Sequence, residues 1–459
     1  MKRLVVAAAL FFGCATPLRV SEGRVLPPEL QFDPTRLSVG APATVPAPAV
    51  EHLALPNGLR VSFVEARGAG LVDVSLLVRC GRVDDAPGVP GASEAMLSLA
   101  FSGGAGDLDA RALRAGFRAL GSVPALSVDD GEMWAASLVL SEHLERYLEL
   151  VALVLRAPRF EADAVRDELE RRSRAVELPA TRASSLAFVA RQRAIYAGSP
   201  QLAQSVSSGA LAKLSREQLV ERASRCLGAS NVALAVSGDL SRAQLEAALA
   251  PLAAVPTGAS VTHPPAPFVA RARSVTLQPT DADQVDVTLV GPGLPPGGDR
   301  SAANLLAELV RSSLQWELRD AGKVYSVRVM VDVGPGDGAT WVRFTTRREV
   351  AFEATRRALS MFERWWQRWP LTTELIDKVK KRQSRNLEPP ERRAFAHARA
   401  RLQDLAIFDG VAWDAGPLEV KEHQLRAFFV RAFKPVQLQL VVTGPFDPAS
   451  PWQTLAAPK

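Results

Sequence analysis

Apolar residues along the chain recur in two patterns, one with the spacing of helices and one with that of strands. Between residues 92 and 100 the apolar side chains form one helical stripe, and Gly103 and Gly104 provide a stop after it. Further helices are predicted at residues 107–121, 144–155, 161–177 and 184–197 and after a capping box at Ser215, and strands at 72–78, 123–128, 133–139 and 232–236. This mixture predicts an α+β fold.

Two pairs of short segments indicate that the α+β unit occurs twice. Residues 72–76 (VDVSL) recur as residues 285–289 (VDVTL), and residues 234–238 (LAVSG) recur as residues 440–444 (LVVTG). The offsets of 213 and 206 residues are nearly equal. Each match alone is ordinary strand composition, but two at one offset indicate a tandem duplication.

The N-terminus has the features of an export signal. Two basic residues precede an apolar run at 4–12, which is too short to span a bilayer, and Gly13-Cys14 follows it. Gly-Cys at this place resembles a bacterial lipoprotein processing site, which would make Cys14 the lipid-bearing first residue; ordinary cleavage near Ala15 is the alternative. Either reading gives an exported chain.

Composition narrows the possible partners. The formal net charge of +6 is spread over the 459 residues without a run of five like charges, so we expect no nucleic-acid partner. Hydrophobic residues make up 47% of the chain, which is enough for sizeable cores. Beyond Cys14 only Cys80 and Cys226 remain, either as buried free thiols or as a disulfide.

The helix after Gly88 carries a resemblance to a known family. The segment 88–97, GVPGASEAML, resembles the first helix of the insulinase, pitrilysin and mitochondrial processing peptidase family, which there reads His-x-x-Glu-His-Met. Two histidines at that spacing can hold one zinc ion on a helix face, and the glutamate acts as general base. Here the histidine positions fall on Gly91 and Ala95, and only the general-base position, Glu94, is kept. Taken alone, Glu94 is interpreted as a solvated helix carboxylate.

The resemblance also implies a third zinc ligand, a glutamate on a helix about 75 residues further on. Glu168 fits that position best, as a relic ligand. One carboxylate does not hold zinc firmly, because a catalytic zinc ion needs three protein ligands. The five histidines show no HExxH, HxxEH or HxxxH spacing, so we expect no metal cofactor in this chain.

The second half keeps a different part of the family pattern. Residues 318–327, LRDAGKVYSV, resemble a segment whose arginine and tyrosine reach a peptide bound at the zinc of a partner chain, here Arg319 and Tyr325. A guanidinium can clamp a carbonyl or carboxylate, and a phenol can donate a hydrogen bond to an oxyanion. The alternative is a surface arginine at a helix end and a strand tyrosine that covers the core.

The resemblance implies two tandem homologous domains, each a mostly antiparallel sheet covered by helices. Together with the N-terminal pattern and the Pro-rich stretches, it divides the chain into a signal peptide with a lipoprotein site (1–14), a Pro/Ala-rich tether (15–50), an N-terminal insulinase-like domain with a degenerate zinc site (51–250), a linker (251–268) and a C-terminal insulinase-like domain (269–459).

Three functional hypotheses follow from the resemblance. The first is an exported, lipid-anchored, non-catalytic subunit on the periplasmic face of the outer membrane. It would pair with an active His-x-x-Glu-His chain that holds the zinc, and would help to bind an unfolded peptide. The second is an active zinc metalloendopeptidase with atypical ligands. The third is a non-enzymatic binding lipoprotein of the envelope.

Overall fold

The computed structural model describes residues 49–177, 183–269, 271–295, 299–319, 322–332, 336–384, 390–402 and 420–456. The strands are β1 (Glu51–Ala54), β2 (Arg60–Glu65), β3 (Leu71–Val78), β4 (Ala125–Val128), β5 (Met133–Leu140), β6 (Val232–Gly238), β7 (Ser274–Pro279), β8 (Val285–Pro292), β9 (Ser326–Val331), β10 (Ala339–Thr346) and β11 (Gln439–Gly444). Cys14 and the predicted signal and tether up to residue 48 lie outside the described residues.

The helices are α1 (Ala92–Ser102), α2 (Ala110–Ala119), α3 (Leu144–Arg156), α4 (Ala162–Glu177), α5 (Ala183–Ile195), α6 (Pro200–Ala203), α7 (Ser208–Leu211), α8 (Arg216–Cys226), α9 (Arg242–Ala248), α10 (Arg300–Leu314), α11 (Arg348–Gln367), α12 (Thr373–Ser384), α13 (Pro390–Leu402) and α14 (Glu422–Ala432). A π-helical turn, Gln315–Arg319, continues α10. None of the helices in the described ranges combines the length and apolarity needed to cross a membrane.

The strands form two sheets with the same internal order. The first sheet runs β1-β2-β6-β3-β5-β4 and the second β7-β11-β8-β10-β9. In each sheet one pair is parallel, β2 with β6 and β7 with β11, and the other pairs are antiparallel. With β1 set aside, the two sheets match strand for strand. This confirms the α+β class and the tandem repeat.

The repeated sequence segments occupy equivalent places in the two sheets. Residues 72–76 and 285–289 lie in β3 and β8, and residues 234–238 and 440–444 lie in β6 and β11. Both central strands end on a glycine with positive φ, Gly238 at 155° and Gly444 at 134°. A Cβ at Gly238 would lie 2.3 Å from the Leu71 carbonyl oxygen, so the neighbouring strand excludes any side chain there.

Each sheet also packs against a helix contributed by the other half of the chain. Helix α13 follows the second sheet's β10 in sequence but lies on β2, β3 and β6 of the first sheet. Helix α5 precedes the second sheet but lies against its strands β7, β8 and β11. Alanines of α13 and β6 form the first of these contacts, Ala394 and Ala398 with Ala233 and Ala235. Small side chains let a helix and a sheet approach closely. The two halves are therefore joined by α13, which packs on the first sheet, and by α5, which packs on the second.

Candidate functional site

The N-terminus of α1 is held by a buried aspartate. The Asp85 carboxylate accepts hydrogen bonds from the backbone N–H of Gly91 (2.9 Å) and of Ser93 (3.0 Å), and from the Ser93 hydroxyl (2.6 Å). These bonds satisfy donors that a helix start leaves unpaired. The Arg222 guanidinium of α8 lies 3.0 Å from the same carboxylate. Burial raises the pKa of Asp85, and the Arg222 charge opposes that shift.

A disulfide ties the same region together. Cys80, just after β3, is bonded to Cys226 at the end of α8, with a Cα–Cα distance of 5.8 Å. Of the two states that the sequence left open for these cysteines, the structure therefore has the disulfide. Together with Arg222, the bridge fixes α8 beside the start of α1.

Gly91 and Ala95 stand at the two positions where the insulinase-type motif has histidines. Neither position has room for a side chain long enough to reach a metal ion. Gly91 has a φ of 95°, and a Cβ built on it would lie 3.1 Å from a Val206 methyl and 3.3 Å from a Leu211 methyl. Ala95 is fully buried in the core of the first sheet. Neither residue has a lone pair to donate, and neither place has room for an imidazole without rearrangement.

Glu94 is half-buried, whereas the helix pattern alone indicated a solvated carboxylate. Its Oε2 atom is buried and has no hydrogen-bond partner among the described residues. Burial raises the pKa of Glu94, and repulsion from Asp85 adds to the shift, while Arg82 and Arg172 oppose it. The sequence reading failed because the residues that cover Glu94 come from distant parts of the chain.

Glu168 is buried as well, and two guanidinium groups neutralise it. Arg172 Nε donates to Glu168 Oε1 at 2.6 Å, and Arg171 donates to both carboxylate oxygens at 2.8 Å. Arg172 Nη2 also donates to the Glu94 carbonyl oxygen at 2.7 Å. The Arg172 side chain thus links α4 to α1 between Glu168 and Glu94, the two residues predicted from the sequence as relic ligand and general-base positions.

This set of groups does not fit a zinc ion. The two histidine positions offer no ligand atom, Glu168 is already paired with two cations, and Arg172 brings positive charge to the place where a metal would need negative or neutral donors. Within the described residues, no three side chains of the His, Cys, Asp or Glu types are grouped so that they could hold a metal ion.

Arg319 and Tyr325 lie on the surface at the two ends of one turn. Arg319 closes the π-helical turn, and Gly322, whose N–H donates to the Arg319 carbonyl, has a φ of 69°. Tyr325 lies immediately before β9; its N–H donates to the Thr345 carbonyl of β10, and the residue is 55% exposed. Both are therefore accessible to another molecule, and no hydrogen bond joins their side chains.

A cavity of about 690 Å³ lies between the two halves of the chain. The turn 129–132 of the first half lines it together with the end of α5, and the second half contributes the first turn of α10 and the adjoining ends of β9 and β10. Arg399 of the exchanged helix α13 completes the lining. No local sequence pattern predicts this cavity, because α5 and α13 bring together segments that are distant in the chain.

The chain is similar in sequence or in fold to several known proteins. Residues 213–382 match the family model described as the peptidase M16 inactive domain. No curated protein matches the chain. Among solved structures, a peptidase M16 inactive domain from Pseudomonas fluorescens is similar, with a TM-score of 0.79 at 21% identity, over 87% of this chain and 98% of that one.

Two further solved structures share the fold. A protease from Helicobacter pylori has a TM-score of 0.75 at 16% identity, over 86% of this chain and 99% of that one. The periplasmic protease PqqL from Escherichia coli has a TM-score of 0.71 at 14% identity, over 89% of this chain but only 47% of its own. At these identities the likeness concerns the fold alone.

Proposed function

We propose that the chain is a member of the peptidase M16 (insulinase) family, whose inactive-domain model matches residues 213–382, and that it is the non-catalytic subunit of a two-chain zinc peptidase. In this proposal an active chain with the His-x-x-Glu-His motif supplies the zinc ion and the general base. The chain described here encloses an unfolded peptide and supplies Arg319 and Tyr325.

The observation that carries the proposal is the contact between α1 and α4. The Arg172 guanidinium binds Glu168 and the Glu94 carbonyl, and the histidine positions are Gly91 and Ala95. A chain built in this way has a stable substitute for the metal site and no means of activating water through zinc. Glu94 and Glu168 are then relics of the general-base and ligand positions.

The exposure of Arg319 and Tyr325 supports the second part of the proposal. Neither side chain is taken up by the core, and both lie on one helix-turn-strand segment. An arginine can bind a substrate carbonyl or carboxylate through two parallel hydrogen bonds, and a tyrosine hydroxyl can stabilise a developing oxyanion. The length of PqqL also supports the two-chain arrangement. This chain matches only 47% of that protease, so PqqL has room for a second unit of similar size in the same polypeptide.

We further propose that the chain is exported and anchored to the periplasmic face of the outer membrane through lipid on Cys14. The basic and apolar N-terminus supports export. The Cys80–Cys226 disulfide supports it independently, because such bonds persist in oxidising compartments. The similarity to a protein whose description names it a periplasmic protease points the same way.

The test is a reconstitution with an M16 chain from the same genome that carries His-x-x-Glu-His. We expect cleavage of an unfolded fluorogenic peptide only when both chains are present. Arg319→Ala and Tyr325→Phe should each lower kcat/KM by about 10²-fold, as for the loss of one oxyanion donor. Arg328→Ala, at an exposed arginine of β9, is the matched control and should have no effect.

Chain association, measured by size-exclusion chromatography, must be unchanged in the variants. If the complexes with Arg319→Ala and with Tyr325→Phe had full peptidase activity, the roles assigned to these residues would be refuted. Equal activity of the partner with and without this chain would remove the proposed function itself.

A further inference from the structure

A pair of histidines lies where α13 of the second half packs on the first sheet. The rings of His52, in β1, and His397, in α13, stack with their centroids 5.4 Å apart and their planes inclined by 25°. The nitrogens that face each other, His52 Nε2 and His397 Nδ1, are 3.5 Å apart. The other nitrogen of His52 lies 3.3 Å from the Ser62 hydroxyl of β2. The pair therefore connects α13 to β1 and β2.

This contact requires that one of the two facing nitrogens carries no proton. A neutral imidazole has one N–H donor and one acceptor nitrogen, whereas an imidazolium has two donors. A single proton between the rings gives a hydrogen bond from one ring to the other. When both rings are charged, an N–H group faces an N–H group and two positive charges lie in one stack. The contact therefore accepts at most one cationic ring.

Arginines surround the pair and add to the positive charge. Arg393 and Arg401 are one turn before and one turn after His397 on the same face of α13. Arg401 Nη1 donates to a backbone carbonyl of β2 at 2.6 Å, and Arg60 of β2 donates to the Arg401 carbonyl. Burial lowers the pKa of His397 from 6.5 to about 4, and positive charge on His52 and Arg393 adds to the shift. The surroundings thus oppose a charged imidazole.

The carboxylates on the neighbouring elements belong to other contacts. Glu51, beside His52 in β1, is paired with Arg242 at 3.0 Å. Glu391, in the first turn of α13, repels Asp73 of β3. The pKa of Asp73 is raised by burial and further by this repulsion. Protonation of Asp73 would relieve the repulsion, so acid strengthens that end of the contact.

One carboxylate contact of α13 would weaken in acid. Arg399 Nε lies 2.6 Å from the carboxylate of Glu132, which is 2% exposed. Burial raises the pKa of Glu132, and its protonation would remove the partner of Arg399. Variants of the two histidines leave Arg399 and Glu132 in place, so they separate this effect from that of the imidazole pair.

We propose that His52 and His397 form an acid-sensitive switch that holds α13 on the first sheet while at least one ring is neutral and releases it when both are protonated. Because α13 is one of the two helices that join the halves, its release would loosen the joint between them. A released α13 would also lose its own hydrogen bonds, since an isolated helix of 13 residues is marginally stable in water. Neither histidine has a part in the proposed peptidase function, so the two proposals stand or fall separately.

Hydrogen–deuterium exchange of the full chain, measured by mass spectrometry between pH 7 and pH 5 and corrected for intrinsic exchange rates, tests the proposal. We expect the protection of peptides from α13 to fall about tenfold over this range. This value follows from a pKa of His397 that rises from about 4 in the docked helix to 6.5 in the released one, reduced for solvent screening. Peptides from α14, which packs in the core of the second half, should keep their protection.

His52→Gln and His397→Gln should each abolish the pH dependence, because the remaining imidazolium can donate a hydrogen bond to the glutamine amide oxygen. His423→Gln is the matched control, since His423 is an exposed histidine of α14, and it should leave the tenfold fall unchanged. Protection of α13 that does not change with pH in the unmodified chain would overturn the proposal. So would an undiminished fall in both histidine variants, which would assign the effect to Glu132 and Arg399, or an equal fall in α13 and α14.

Discussion

Replacing Arg172 by methionine should remove the polar contact between α1 and α4 and lower the stability of the fold. The substitution keeps the length and the apolar stem of the side chain and removes the guanidinium. Glu168 then keeps only Arg171, whose side chain is 58% exposed, and the Glu94 carbonyl loses the Arg172 donor. The Arg172 side chain itself is 23% exposed and Glu168 is 9% exposed, so this contact is well shielded from solvent.

The size of the effect follows from those contacts. A hydrogen bond to a charged group contributes about 1.5–3 kcal/mol, and removing one partner of a buried ion pair costs about 3–5 kcal/mol. Because Arg171 still neutralises part of the Glu168 charge, we expect Arg172→Met to lower the free energy of unfolding by about 3 kcal/mol. Arg171→Met is the matched control, and because the Arg171 side chain is largely exposed its loss should cost at most about 1 kcal/mol.

Urea denaturation followed by circular dichroism measures both variants, and the retained Cys80–Cys226 bridge keeps the unfolded state the same for all chains. The free energy of unfolding of Arg172→Lys should lie between those of Arg172→Met and Arg171→Met. Lysine keeps the charge, but it cannot bind the Glu168 carboxylate and the Glu94 carbonyl together. Equal losses for Arg172→Met and Arg171→Met would refute the view that Arg172 holds the two helices together.

Three further predictions concern the first sheet and the helices that pack on it. The double variant Gly91→His, Ala95→His restores the motif in sequence, but strain at a φ of 95° and overpacking should cost about 3 kcal/mol or more, and elemental analysis should find no zinc; one zinc ion per chain at native stability would refute this. Replacing Cys80 and Cys226 by serine should lower the free energy of unfolding by about 4–5 kcal/mol, because the bridge closes a loop across a sequence separation of 146 residues; an unchanged urea midpoint would contradict it. Burial lowers the pKa of His397 from its ordinary 6.5 to about 4, so the folded state binds fewer protons than the unfolded state and stability should fall as the pH drops from 6.5 to 4. With solvent screening this loss is about 1–2 kcal/mol, and it should be absent in His397→Gln when melting is followed across that pH range.

The repeated architecture could be predicted because its signal is local. Residues 72–76 and 285–289 are strands with the same alternation of apolar and polar positions, and each pairs with a central strand that ends on glycine. Such patterns depend on neighbours a few residues away, so the sequence carries them directly. The helix at 92–102 was predicted for the same reason.

The environment of the candidate site could not be predicted in this way. Glu94 and Arg172 are 78 residues apart, and only the packing of α4 on α1 brings them together. The same holds for Arg300 and Arg399, which meet because α13 crosses to the other half of the chain. Long-range packing of this kind decides whether a carboxylate is solvated or buried, and no periodicity records it.

Arg319 and Tyr325 show an intermediate case. The sequence placed them on a helix, a turn and a strand, and the structure has that order, with the turn at Gly322. Their exposure agrees with a role in contacting another molecule, but also with a surface position of no further consequence. Only the reconstituted pair of chains can separate these alternatives, so their roles remain a prediction.

The zinc content of the isolated chain decides whether it has lost its metal site. The protein from Ala15 onward would be purified without chelator and without a histidine tag, supplied with zinc, dialysed and measured by elemental analysis. We expect a zinc content near zero, because Arg172 and the Gly91 and Ala95 positions leave no set of three ligands. One tightly bound zinc ion per chain would contradict it and would make this chain a candidate peptidase in its own right.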